Sequence, residues 1–73
     1  MAQLPSNKRT TWDRNLYTSL AVKWAGAEGV GSVSVKQEGA AVSHAPPHHF
    51  PLEKDQGGSL TNNTSKTVDY TLS

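Results

Sequence analysis

The stretch Leu16–Trp24, LYTSLAVKW, constrains the fold most, because it is the densest run of large apolar residues in the chain. In a helix that begins near Trp12, apolar side chains recur four residues apart and form one stripe. The members of that stripe are Trp12, Leu16, Leu20 and Trp24. Thr10 or Thr11 is placed to cap the start of such a helix, and Gly26 is placed to end it.

The same stretch also fits a strand. In that interpretation one face carries Leu16, Thr18, Leu20, Val22 and Trp24, and the other carries Tyr17, Ser19, Ala21 and Lys23. We favour the helix because it also accounts for Trp12 and for the capping residues. The strand remains the alternative.

The size of the chain limits its core. Its 73 residues are enough for one domain, and its hydrophobic share of 34% is below that of an ordinary globular protein. The sequence contains no cysteine, which excludes disulfides, thiolate metal sites and a cysteine nucleophile. Because the core is small and no disulfide can stabilise it, we expect contact with another chain to complete the core.

Two later segments alternate between apolar and polar residues. Gly31–Lys36 places Val33 and Val35 on one face, and a turn at Glu38-Gly39 would return the chain along 40–44. The register that sets Val35 opposite Val42 keeps the valines together, so we predict that register. Thr67–Leu72 predicts a closing strand in the same way, with Val68, Tyr70 and Leu72 on one face.

The proline- and histidine-rich segment His44–Pro51 is predicted to be an ordered loop, held to the core by Phe50 and Leu52. It contains all three histidines, His44, His48 and His49. In an extended chain the neighbouring His48 and His49 point in different directions, so we predict no metal site among the three.

These elements predict an α+β domain. One amphipathic helix near residues 12–25 packs on a small antiparallel sheet made from about 32–36, 40–44 and 66–72. If Leu16–Trp24 is a strand, the domain is instead an all-β sheet or small barrel of four strands. Residues 1–11 are polar and are predicted to form a flexible arm, while residues 12–73 form a single domain with loops at 45–65.

The sequence argues against an enzyme. The glycines between Gly26 and Gly31 match no phosphate-binding loop, and the carboxylates are scattered along the chain. A core this small leaves little room for a small-molecule pocket, and no cofactor is expected. No run is apolar enough to span a membrane and no secretory leader is apparent, so we expect a cytoplasmic protein or part of a particle.

We therefore predict a non-catalytic protein-interaction or assembly module, which associates with another copy through its sheet or its tryptophan-bearing face. The interaction residues are Trp12, Tyr17, Trp24 and Tyr70, since interfaces favour such aromatic side chains. The alternative is a small nucleic-acid-binding protein. Residues 1–24 carry a net charge of +3 and residues 25–73 one of −2, so this function would use Lys8, Arg9, Arg14 and Lys23.

Overall fold

The computed structural model of the protein describes residues 2–13, 17–37, 39–53 and 55–73. Within these residues the chain forms eight β-strands and no helix. In chain order the strands are β1 (Ala2–Leu4), β2 (Arg9–Trp12), β3 (Ser19–Trp24), β4 (Val33–Gln37), β5 (Ala40–His44), β6 (His48–Pro51), β7 (Gly58–Asn62) and β8 (Val68–Leu72).

The strands form two antiparallel sheets of four strands each. Sheet A has the order β1-β8-β3-β6, and sheet B has the order β2-β7-β4-β5. Short connections join β1 to β2 and β5 to β6, so the chain crosses between the sheets at both lateral sides. The second crossing contains a cis peptide bond between Pro46 and Pro47.

Alternation along the inner strands gives the two sheets a shared apolar interior. In β3 the side chains of Leu20 and Val22 are buried while Lys23 is exposed, and β4 likewise buries Val33 and Val35. The buried apolar residues come from both sheets and their connections: Leu4, Trp12, Leu20, Val22, Val33, Val35, Phe50, Leu52, Leu60 and Val68. Burial of a Val or Leu side chain contributes about 1.5–3 kcal/mol, so this pattern selects the strand registers.

A buried polar cluster joins the sheets where β7 ends. The amide nitrogen of Asn62 donates hydrogen bonds to the carbonyl oxygens of Leu4 at 2.9 Å and Lys66 at 2.8 Å. Its amide oxygen accepts hydrogen bonds from the backbone N–H and the hydroxyl of Thr64. The Asn62 side chain, which is 0% exposed, therefore has all its polar groups paired.

The predicted helix near residues 12–25 is wrong, and with it the α+β class. Trp12 ends β2 in sheet B, whereas Leu20 and Trp24 belong to β3 in sheet A. Residues four apart share a face in a strand as well as in a helix, so the spacing from Leu20 to Trp24 fits both structures. Val22 distinguishes them, because it is buried on the strand face and lies off the helical stripe.

The all-β alternative has the right class but too few strands, since the described residues form eight strands in two sheets where four strands are expected. Leu16 and Arg14 lie outside the described residues. The segment predicted as an arm, 1–11, contains β1 and most of β2, and the loops predicted at 45–65 contain β6 and β7.

The two alternating segments are confirmed as strands. The β4–β5 hairpin pairs Val35 with Val42, which is the register predicted from the valines. In β8 the side chain of Val68 is buried, and Tyr70 and Leu72 pack against the core. Phe50 and Leu52 are both buried, as predicted for the histidine-rich segment, although β6 begins at His48 and that part is a strand rather than a loop.

Candidate functional site

The predicted interaction residues are spread through the fold rather than gathered on one surface. Trp12 is buried, while Trp24 and Tyr70 are half-buried and pack against the core. The Tyr70 hydroxyl donates a hydrogen bond to Thr10 Oγ1 at 3.3 Å, which links sheet A to sheet B. Of the four predicted residues, Tyr17 has the exposed ring, with 39% of its surface accessible.

The predicted basic residues are also separated. Arg9 is exposed on β2 in sheet B, and Lys8 precedes it. Lys23 is exposed on β3 in sheet A, where the register sets it opposite Asp69. Arg14 lies outside the described residues. The two sheets therefore carry Arg9 and Lys23 on different faces of the molecule.

Strand β5 is the most exposed strand among those described, because all five of its residues are exposed. It lies at the edge of sheet B and pairs with β4 alone among the described strands. Val42, at its centre, is 55% exposed although its cross-strand neighbour Val35 is buried. The sequence of β5, AAVSH, contains no proline and no Lys, Arg, Asp or Glu.

The backbone of β5 offers hydrogen-bonding groups at regular positions. The hairpin pairs Gln37 with Ala40 across a two-residue connection, and such a connection closes on a hydrogen-bonded pair. Because hydrogen-bonded and non-hydrogen-bonded pairs alternate along antiparallel strands, Val42 and His44 bond to β4. The N–H and C=O groups of Ala41 and Ser43 then lie in the plane of the sheet and point away from β4, toward the open edge.

A stack of aromatic rings lies between β5 and β6 at this lateral side of the sandwich. The rings of His44 and His48 are stacked with centroids 3.7 Å apart and planes 11° apart. The His48 ring in turn meets the edge of Phe50, with centroids 4.7 Å apart. Burial, together with the charges that His44 and His49 carry when protonated, lowers the pKa of His48 below its ordinary value of 6.5.

A groove of about 510 Å³ runs beside this stack, and Val35, Val42, His48 and Phe50 contribute to its walls. The inner face of β5 forms one side and β6 forms the other. Apolar side chains thus extend from the core to the surface along the exposed edge strand. This edge, with its groove, is the candidate functional site.

The described residues contain no cluster of side chains suited to holding a metal ion. No group of three or more His, Asp or Glu side chains in the described ranges is placed to hold a metal ion. Stacked imidazoles direct their ring nitrogens along parallel planes, so the stack of His44 and His48 does not aim both rings at one ion. Residues 2–13, 17–37, 39–53 and 55–73 also contain no helix of a length and apolarity suited to crossing a membrane.

The sequence did not identify Val42 as a surface residue, because the predicted pairing of Val42 with Val35 places it on the core face of the hairpin. The signal that identifies it is the absence of charged and proline residues throughout 40–44, which is unusual for an exposed edge strand.

Comparisons of the chain with protein-family models, with curated proteins and with solved structures find no match.

Proposed function

We propose that the protein is a non-catalytic self-association module, in which β5 of one copy pairs with β5 of a second copy. The observation that carries the proposal is the exposed and uncharged edge of β5. Unpaired edge strands present a row of N–H and C=O groups, and natural proteins usually protect them with charges or proline. β5 has neither form of protection.

The other three edge strands are less suited to pairing. β1 is only three residues long, and β2 begins with the cation Arg9. β6 ends with Pro51, which has no N–H to donate. Of the four described edges, β5 combines the greatest length with the absence of charge and proline.

The free backbone groups of β5 specify one register. In a two-fold symmetric antiparallel pair centred on Val42, Ala41 lies opposite Ser43 of the second copy, and each such pair exchanges two hydrogen bonds. The arrangement uses the N–H and C=O of Ala41 and Ser43 from both copies. Val42 then meets Val42 of the second copy as a non-hydrogen-bonded pair, in which side chains are closest.

Pairing in this register would join two copies of sheet B into one continuous sheet of eight strands. It would also cover the exposed side chain of Val42 at the mouth of the groove. No charged residue lies within β5, so like charges are not opposed across the symmetry axis. Association is therefore expected to persist from about 50 mM to about 500 mM salt, since screening acts on charges.

The first test is sedimentation velocity of the wild type and of Val42→Lys, at concentrations from about 10 µM to about 1 mM, because so small an interface binds weakly. Two lysines at the symmetry axis would repel each other, so the variant should stay monomeric where the wild type dimerises. Val30→Lys is the matched control, because Val30 is 75% exposed in the β3–β4 connection. It should dimerise like the wild type.

A second pair of variants tests the register. Ser43→Pro removes an N–H that points outward, so the variant should fold and remain monomeric. Val42→Pro removes an N–H that bonds to β4 and should destabilise the hairpin itself. A monomeric wild type at every concentration, or a Ser43→Pro variant that still dimerises, would show that β5 is not the association edge.

A further inference from the structure

The outer face of sheet B consists mainly of hydroxyl-bearing side chains. In β2, β4 and β7 the residues that alternate with the buried positions point away from sheet A, and in β5 so do the neighbours of Val42, which pairs with the buried Val35. Five of them are serine or threonine, and we call the surface that they form the hydroxyl face: Thr11, Ser34, Ser43, Ser59 and Thr61. Ala41, Arg9 and Lys36 lie on the same face.

Strand register arranges these residues in two rows. In the first row Arg9 lies opposite Thr61, which lies opposite Ser34, and Ser34 faces Ser43. In the second row Thr11 pairs with Ser59, Ser59 with Lys36, and Lys36 with Ala41. Each row therefore contains one cation and two or three hydroxyl groups.

The charged residues described on the strands of the hydroxyl face are both cations. Arg9 and Lys36 are exposed, and none of the strand residues described on this face is Asp or Glu. The outer face of sheet A differs, because the register there sets Lys23 opposite Asp69. Among the described strand residues of this face, the two charged side chains are thus both cations.

We propose that the hydroxyl face binds the phosphate backbone of a duplex nucleic acid. Phosphate oxygens accept hydrogen bonds from Arg, Lys, Ser and Thr side chains, which are the donors of this face. Single strands are usually held by stacking of bases on aromatic rings, and no aromatic residue lies among the described outward positions of sheet B. A duplex presents phosphates without needing such stacking, so it matches this surface better.

The surface differs from the basic set predicted from the sequence. It includes Arg9 and adds Lys36, which belongs to β4 far along the chain. It leaves out Lys23, which sheet A carries on the other outer face. The hydroxyl face is exposed whether or not β5 pairs, so this proposal and the self-association proposal can fail separately.

The test is fluorescence anisotropy with a labelled duplex DNA of about 20 base pairs, titrated at several salt concentrations between about 20 mM and about 200 mM. Arg9→Gln/Lys36→Gln should weaken binding at least tenfold at the lowest salt. It should also reduce the slope of log K against log salt by about 1.8, which corresponds to two phosphate contacts.

The matched control is Lys23→Gln/Lys66→Gln, which removes the same charge from exposed residues outside the hydroxyl face. It should retain the affinity of the wild type within about twofold. An equal loss of duplex affinity in both double variants would show that binding depends on net charge alone, and it would overturn the proposal. So would the absence of duplex binding, tighter binding of a single strand of equal length, or binding to anionic phosphatidylserine vesicles in place of the duplex.

Discussion

Replacement of Asn62 by aspartate keeps the shape of a fully buried side chain and changes one of its polar groups. The amide nitrogen lies 2.9 Å from the Leu4 carbonyl oxygen and 2.8 Å from the Lys66 carbonyl oxygen. Both partners only accept hydrogen bonds, so the NH2 group must face them. In Asn62→Asp that donor becomes an oxygen atom that points at two other oxygens.

The expected cost follows from these contacts. The Leu4 carbonyl loses its side-chain donor, whereas the Lys66 carbonyl keeps a hydrogen bond from the Thr64 hydroxyl at 2.7 Å. A buried acceptor without a donor costs about 1–3 kcal/mol and a buried charged group costs more, so an ionised aspartate should lower the free energy of unfolding by about 2–6 kcal/mol. A chain of 73 residues has a total stability of about 4–11 kcal/mol. The ionised variant would therefore lose a large part of its stability. A protonated aspartate donates to one carbonyl, so the cost falls to about 1–3 kcal/mol.

This difference makes the cost depend on pH. Burial beside carbonyl oxygens raises the pKa of the new carboxyl group in the folded state above the value of about 3.9 in the unfolded chain. The folded variant then binds its proton more tightly, so stability is greatest below pH 3.9 or so and is lost as the pH rises through the folded pKa. The difference in stability between wild type and variant should grow from about pH 4 to about pH 7.

Urea denaturation followed by circular dichroism at both pH values measures this difference, and the comparison with wild type cancels the other titrating groups. Asn63→Asp is the matched control, because the neighbouring Asn63 is exposed. It should change stability by no more than about 0.5 kcal/mol at either pH. Equal costs for the two substitutions, or a cost for Asn62→Asp that does not vary with pH, would refute the role of the Asn62 amide.

Two further predictions concern other parts of the sandwich. In Gly58→Ala the added Cβ would lie 2.7 Å from Cζ2 of Trp12, so we expect a loss of about 1–3 kcal/mol in urea denaturation, whereas Gly26→Ala meets no atom within 4 Å and should have almost no effect. The lowered pKa of His48, caused by burial and then by His44, means that the unfolded chain binds more protons near pH 6. The melting temperature should therefore fall as the pH drops below about 6.5, and His48→Phe should reduce that fall; an unchanged pH profile in the variant would contradict this assignment.

The fold could be predicted from the sequence where one hydrophobic pattern and one turn act together. The β4–β5 hairpin meets that condition, because the valines and the turn predicted at Glu38-Gly39 favour the same register, which pairs Val35 with Val42. The pairing of β3 with β6 and β8 did not, since it joins segments far apart in the chain. Non-local pairing of this kind decides between strand and helix for Ser19–Trp24, and the local pattern is compatible with both.

The candidate surfaces were harder to predict for a related reason. The pattern of β4 and β5 places Val42 on the same face as the core valines, but the sheet opposite does not cover it. Likewise, the pattern places Lys36 and Ser34 on one face of β4. Only the order of strands in sheet B brings Arg9 to that face.

The position of β8 in sheet A determines when that sheet is assembled during synthesis. β8 lies between β1 and β3, so the first of the described strands is paired with the last of them, Ala2 being opposite Tyr70. Until residues 68–72 emerge from the ribosome, β1 lacks its one partner among the described strands, and β3 lacks one of its two. Before β8 is synthesised, the apolar side chains of β3 on the nascent chain remain accessible to solvent or to chaperones.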